Sequence, residues 1–176
     1  MALPILRTQR LLLRPLTVQD EEWMIRLHQD PEVMRFSPKG VLSDEEVRKA
    51  LSESFLSYER YGFGRYSCWL QESATPIGFC GVLHVEIDGI AYPELGYRLF
   101  PSFWSKGYAT EAATAIKEDV FTRERLPQIY SLIDPCNTRS IRVAEKLGEK
   151  LAFYTIYKNM RIAMYTVKNP LQGEVV

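Results

Sequence analysis

The stretch Phe103-Trp104-Ser105-Lys106-Gly107-Tyr108-Ala109-Thr110-Glu111-Ala112 decides how this chain is read. A strand-like run, residues 94–100, stops just before it, and an alanine-rich helix starts at Gly107. A glycine between strand and helix lets the backbone turn sharply and leaves bare N–H groups at a helix N-terminus. The macrodipole favours negative charge there, so one reading of Lys106 to Thr110 is a phosphate site with Lys106 as an added cation. A plain loop is the other reading, and spacing alone does not choose between them. The stretch lacks G-x-x-x-x-G-K-[ST], which excludes a P-loop, and no G-x-G-x-x-G follows a strand.

Outward from this turn the chain alternates between the two periodicities. Residues 10–16 read as a first strand stopped at Pro15. Thr17 then caps a helix with Asp20 in its first turn and Trp23 and Leu27 on its apolar face. Ser43-Asp44-Glu45-Glu46 is a capping box that starts a second helix over 44–60. Its stripe is Val47, Ala50, Leu51, Phe55 and Tyr58. Residues 64–71, 76–87 and 90–100 read as strands, the last two joined at Asp88-Gly89, a hairpin signal. The helix after Gly107 turns Ala109, Ala112, Ala113, Ile116 and Val120 to one face, and such small residues allow close approach to a sheet. A short strand, 127–133, precedes a helix capped at Asn137 or Thr138 and ended at Gly148. Strands over 151–157 and 160–167 close the chain, and 169–176 reads as a loose tail. The order β-α-α-β-β-β-α-β-α-β-β predicts one α/β domain over 1–176, its core about 5–168. Strands flanking a helix are expected to pair in parallel and the hairpin antiparallel.

Bulk properties narrow the function. Twenty-two Lys plus Arg balance 22 Asp plus Glu, so no global charge suits a protein that grips nucleic acid or an anionic membrane. The cysteines, Cys68, Cys80 and Cys136, are odd in number and widely spaced, which favours free thiols in the cytoplasm. No run is long enough to span a bilayer, and the first residues lack a signal peptide's apolar block. His28 and His84 are isolated, nothing has metal-ligand spacing, and no metal is expected.

The quoted stretch closely resembles the acyl-CoA-binding motif of the GNAT N-acetyltransferase superfamily, [Gln/Arg]-x-x-Gly-x-[Gly/Ala] leading into a helix. Here it reads Trp104-Ser105-Lys106-Gly107-Tyr108-Ala109, with Trp104 replacing Gln or Arg and Ser105 standing where many relatives have Gly. The tryptophan and the following Lys-Gly-Tyr-Ala-Thr-Glu-Ala look like the ribosomal-protein-alanine (Rim-type) branch. Arg10-Leu-Leu-Leu-Arg-Pro-Leu-Thr, Asp30-Pro31-Glu32-Val33, Glu94-Leu95-Gly96-Tyr97 and Asn137-Thr138-Arg139-Ser140 are similar to further segments of that branch. The resemblance covers about 5–168. It implies the GNAT fold, a mixed and mostly antiparallel sheet of about seven strands with four helices. It also implies acetyl-CoA as donor, a primary amine as acceptor, either a protein N-terminus or a small molecule, and a monomer or homodimer. Splayed strands would form the cleft, with backbone groups of Leu95, Gly96, Tyr97, Arg98 and Leu99 along the pantetheine arm. Trp104, Ser105, Lys106, Gly107, Tyr108, Ala109 and Thr110 would hold the pyrophosphate.

Amine attack requires the acceptor to lose a proton and the leaving thiolate to gain one. Glu94, on the strand entering the reaction centre, is the expected base, directly or through water; its structural reading is a strand carboxylate paired with Arg98. Ser140 is the family-type candidate for assisting the thiol, or a first-turn serine bonded to the backbone. Asn137 would contact pantetheine or water, cap the helix, or do both. Some Rim-type members carry a carboxylate after the last helix; 152–157 has none, which shifts weight to Glu94. Tyr154 and Tyr157 are acceptor-pocket or packing residues, and His84 a weak candidate for substrate contact. Two other functions compete. One is a silent acyl-CoA-binding sensor of the same fold. The other is DNA binding, since Arg142 to Gly148 looks like the first helix of a helix-turn-helix; the β-rich 153–157 that follows argues against it.

Overall fold

A computed structural model describes residues 3–172. The strands are β1 (Leu6–Arg7), β2 (Leu11–Pro15), β3 (Arg65–Leu70), β4 (Thr75–Ile87), β5 (Ile90–Leu99), β6 (Gln128–Ile133), β7 (Lys150–Tyr157) and β8 (Met160–Lys168). The helices are α1 (Glu21–Gln29), α2 (Asp44–Tyr61), α3 (Tyr108–Thr122) and α4 (Thr138–Lys146). The strands form one sheet in the order β1-β2-β3-β4-β5-β6-β8-β7. The strand beyond the expected seven is the two-residue β1, paired with β2 at the sheet's edge.

Strand direction departs from the expectation in one place. β2 and β3 flank helices yet pair antiparallel. Two helices lie between them, so the chain crosses the sheet twice and re-enters at the end it left. Among the described residues only β5 and β6, separated by the single α-helix α3, run parallel. β7 does not pair with β6 across α4; β8 lies between them, antiparallel to both.

The sheet buries both faces. On one, Ala112, Ala113, Ile116 and Val120 of α3 pack on Leu11, Leu13, Ile77, Val82, Leu95 and Leu99. On the other, Trp23, Met24 and Leu27 of α1 and Val47 and Leu51 of α2 enclose Phe79. The α2 stripe runs through Ser54, which is fully buried and returns its hydroxyl to Ala50 O. Asp20 is buried as well: it completes a capping box with Thr17 and accepts from Arg14 and the Trp23 indole.

α4 ends in a Schellman arrangement, with Gly148 N–H donating to Glu145 O and Glu149 N–H to Ala144 O. β7 follows it at once, so the helix-turn-helix reading fails: there is no recognition helix where one is required. Residue 169, the first of the expected loose tail, is held in place. Asn169 is buried and its amide donates to Phe121 O and Leu126 O. The rest of the expected tail, 173–176, lies outside the described residues.

Candidate active site

The site begins where β5 and β6 part. They share a single register pair, Glu94 with Tyr130, and then diverge. Peptide groups alternate in direction along a strand, so Gly96 and Arg98 turn theirs into the ladder with β4, while Leu95, Tyr97 and Leu99 turn theirs towards β6. Two of those three are already engaged. Ser131 Oγ approaches Leu95 O at 3.4 Å, and the Trp104 indole donates to Leu99 O at 2.7 Å. Tyr97 is the one of the three whose N–H and C=O are both outside these contacts.

The Gly107 turn closes one end of this gap. Gly107 is left-handed at φ 83°, as is Ser105 at φ 60°, a conformation glycine adopts without strain. The α3 ladder begins with Glu111 N–H donating to Gly107 O, which leaves the N–H groups of Tyr108, Ala109 and Thr110 pointing out of the first turn. Glu111 ties this turn to the start of the chain: its carboxylate accepts from Thr8 Oγ1 at 2.6 Å and from Arg10 Nε at 2.7 Å. Burial raises its pKa, but these hydrogen bonds and the Arg10 charge outweigh that and hold it below its ordinary value. Arg10 also donates to Lys106 O and lies over the Tyr108 ring.

A cleft of about 590 Å³ runs from this turn along α4. It is lined by Trp104, Ser105, Gly107, Tyr108, Ala109 and Thr110, and reaches Tyr97, Arg98, Leu99, Asn137 and Ser140. Lys106 is not among its walls; its ammonium sits over the Phe103 ring, 5.7 Å from the centroid. The cations that do line the cleft are Arg35, Arg98 and, along α4, Arg139, Arg142 and Lys146; sequence reasoning missed the three on α4. Their i, i+3, i+7 spacing on one face of α4 is the signal that marks them. The Arg139 guanidinium rests 4.9 Å from the Trp104 ring and so joins the two walls. Free N–H groups at one end, three cations along one side and a gap between strands together fit a long polyanionic ligand with an extended arm.

A smaller cavity of about 150 Å³ opens through the strand gap to the other face of the sheet. Glu94, Leu95, Gly96, Tyr97, Arg98, Asn137 and Ser140 line it, with Arg65 and Phe79. Glu94 is half-buried there. Desolvation raises its pKa above the ordinary carboxylate value, against the pull of Arg65 and Arg98. The expected Glu94–Arg98 ion pair does not form: among the described residues neither takes part in a salt bridge. Asn137 caps α4 by accepting from Ser140 N–H at 3.2 Å. Ser140 and Tyr97 line the same cavity, and burial pushes the Tyr97 phenol pKa up against a smaller downward pull from Ser140. Tyr154 and Tyr157 line neither cavity. His84 lies away from both, packed against Tyr61 and Phe63.

A carboxylate does follow the last helix: Glu149, three residues before the segment 152–157. It is buried, accepts from Ser131 Oγ at 3.1 Å, and leaves Oε2 without a partner. Burial pushes its pKa up to about 7. Its position is the second residue past the α4 cap, where a Schellman motif ordinarily packs an apolar side chain. A charged residue at that position is the signal that was available.

A mixed sheet that opens between two parallel strands, beside a helix N-terminus free to bind phosphate, is the arrangement that the resemblance to acyltransferases implied. Residues 10–150 match the family described as acetyltransferase (GNAT) domain. Protein YkkB of Bacillus subtilis is 32% identical over 167 residues, covering 92% of this chain and 94% of the relative. An uncharacterized N-acetyltransferase, p20, of Bacillus licheniformis is 29% identical over 81% of this chain and 80% of its own length. The solved acetyltransferase of Agrobacterium tumefaciens superposes with a TM-score of 0.83 at 27% identity, covering 95% of each chain. The chain belongs to the GNAT acetyltransferase family.

Proposed function

We propose that the chain is an N-acetyltransferase that moves acetyl from acetyl-CoA to a primary amine by direct attack in a ternary complex. The observation that carries this reading is the opening of β5 from β6 after the single pair Glu94–Tyr130, which joins the cleft on one face to the Glu94 cavity on the other. Donor and acceptor can then meet from opposite sides with no covalent enzyme intermediate.

Acetyl-CoA supplies the activated acetyl thioester. The N–H groups of Tyr108, Ala109 and Thr110 and the α4 cations suit its phosphates, and Tyr97 N–H suits the carbonyl oxygen that gains charge. Glu94 takes one proton from the acceptor ammonium, which frees the nitrogen lone pair. As the N–C bond forms and the C–S bond breaks, the nitrogen's second surplus proton passes to the thiolate. Ser140, which lines both cavities, is the hydroxyl proposed to relay it. The likeness of 103–112 to the Rim-type branch brings a protein α-amine into the set of acceptors to test beside small amines.

Release of CoA thiol from acetyl-CoA across an amine panel tests the reading. Amine-dependent release is expected. A melting-temperature rise with acetyl-CoA but no release with any amine would make the protein a binding module.

A further inference from the structure

Two guanidiniums face the Glu94 cavity with no carboxylate bound to them. Arg65 on β3 pairs with Gly81, and on the next ladder Phe79 pairs with Arg98, Gly81 with Gly96 and Leu83 with Glu94. Side chains of directly paired residues share a face, so Arg65, Arg98 and Glu94 stand on the same side of the sheet. Between Arg65 and Glu94 stand Gly81, closed over by the backbone at Gly64 and Arg65, and Gly96, whose open face the Glu94 carboxylate fills.

The arginines are positioned. Arg65 lies over Phe79, 5.0 Å from the ring centroid, and Phe79 is itself stacked on His28 at 5.6 Å. All ion pairs among the described residues involve other side chains. Arg65 lines only the Glu94 cavity and not the larger cleft, so it belongs to the acceptor side.

The two guanidiniums act on each other and on their neighbours. Burial, and then Arg65, hold Arg98 at about 10 despite Glu94. Burial and the same two arginines push His28 down to about 4, so it stays neutral. A bare ammonium entering beside Glu94 meets the Arg65 and Arg98 guanidiniums, while the other carboxylate of the cavity, Asp134, is engaged by Cys136 N–H. An acceptor that also carries a carboxylate gives an unpaired, half-buried guanidinium its partner. The cavity is of amino-acid size rather than polymer size.

We propose that the acceptor is a small amine that also bears a carboxylate, held by Arg65 and Arg98 while its nitrogen faces Glu94. This rests on the acetyl-transfer reading and narrows it.

The experiment compares matched acceptors at saturating acetyl-CoA: α-amino acids, their carboxamides, and spermidine as a polycation. The carboxylate-bearing member of each pair should have the higher kcat/KM, by roughly tenfold or more, because hydrogen bonds to charged groups are strong. Arg65→Gln or Arg98→Gln should shrink that ratio towards one, chiefly through KM, and Arg65→Lys should restore part of it. A carboxamide or spermidine as best acceptor overturns the proposal and leaves acetyl transfer standing. A second readout needs no turnover. With CoA present, N-acetyl amino acids should raise the melting temperature more than their amides, and Arg65→Gln should remove the difference. Equal shifts overturn the carboxylate site. Thiol release from no amine, with the carboxylate-dependent shift intact, sinks the transfer reading and keeps the site.

Discussion

The Glu94 carboxylate occupies the space that a side chain on Gly96 would fill. A Cβ on Gly96 would lie 2.9 Å from Glu94 Oε1 and 3.1 Å from Oε2. Glycine at this position thus sets where the proposed base can stand. The obstructing atoms are the free end of a side chain, so Gly96→Ala should move the carboxylate rather than the strand. The expected result is a folded protein with a melting temperature near wild type and thiol release lowered by roughly tenfold, since catalytic geometry is sensitive to small misplacements. Wild-type turnover in Gly96→Ala would show that Glu94 can act from another position.

Glu94→Gln removes the proton acceptor and keeps the shape. Turnover should fall by ~10²-fold or more if Glu94 is the base. The pH profile carries a second signature. Desolvation raises the Glu94 pKa, so the active carboxylate is lost at a higher pH than for a free glutamate. The acid limb of kcat/KM should therefore sit above the usual carboxylate range in wild type and vanish in Glu94→Gln. An unchanged acid limb in the variant assigns it to another group.

How much of this was legible in the sequence depends on how local the cause is. The Gly107 turn was, because one left-handed glycine before a helix is a property of consecutive residues. The hairpin at Asp88-Gly89 and the Ser43 capping box were legible for the same reason. The antiparallel pairing of β2 with β3 was not, because it depends on how many helices lie between them rather than on either strand. Arg65 was not a visible site residue either. Its place beside Glu94 arises from two successive ladders, β3 with β4 and β4 with β5, and a register slip of one residue would send it to the opposite face. The α4 cations lay between these cases: their spacing was visible, but the wall they form needed the position of Trp104. Glu149 carried a signal, a charge where a Schellman motif packs an apolar side chain, but its burial needed the position of Ser131.

Gly107 offers a test of the phosphate end. At φ 83° any side chain is strained, and a Cβ there would come 3.4 Å from an Arg10 guanidinium nitrogen. Gly107→Ala should cost about 1 kcal/mol in stability, the penalty of a left-handed non-glycine residue. It should still show a melting-temperature rise with acetyl-CoA. Gly107→Asp adds a negative charge beside the Tyr108–Thr110 N–H groups and should lose the rise. Equal acetyl-CoA shifts in the two variants would locate the phosphates elsewhere.

Glu149 should make stability depend on pH in a direction opposite to a salt-bridged carboxylate. Its pKa is about 7 in the folded chain against 4.5 for the unperturbed group. Below the lower value both states hold the proton, and burial of the neutral acid costs little. Between the two values only the folded chain holds it, so stability falls as pH rises through this window. Above about 7 the charge is buried in full, a cost of order 3 kcal/mol at ~1.4 kcal/mol per unit. Glu149→Gln keeps an acceptor for Ser131 Oγ without the charge. Its melting temperature relative to wild type should climb between pH 5 and pH 8. Ionisation also changes what Ser131 does. Against a carboxylate its proton points to Glu149; against the neutral acid it is free for Leu95 O, the last peptide before the strands part. A difference between variant and wild type that stays constant across that pH range would mean that Glu149 titrates as an ordinary glutamate and that its burial carries no proton linkage.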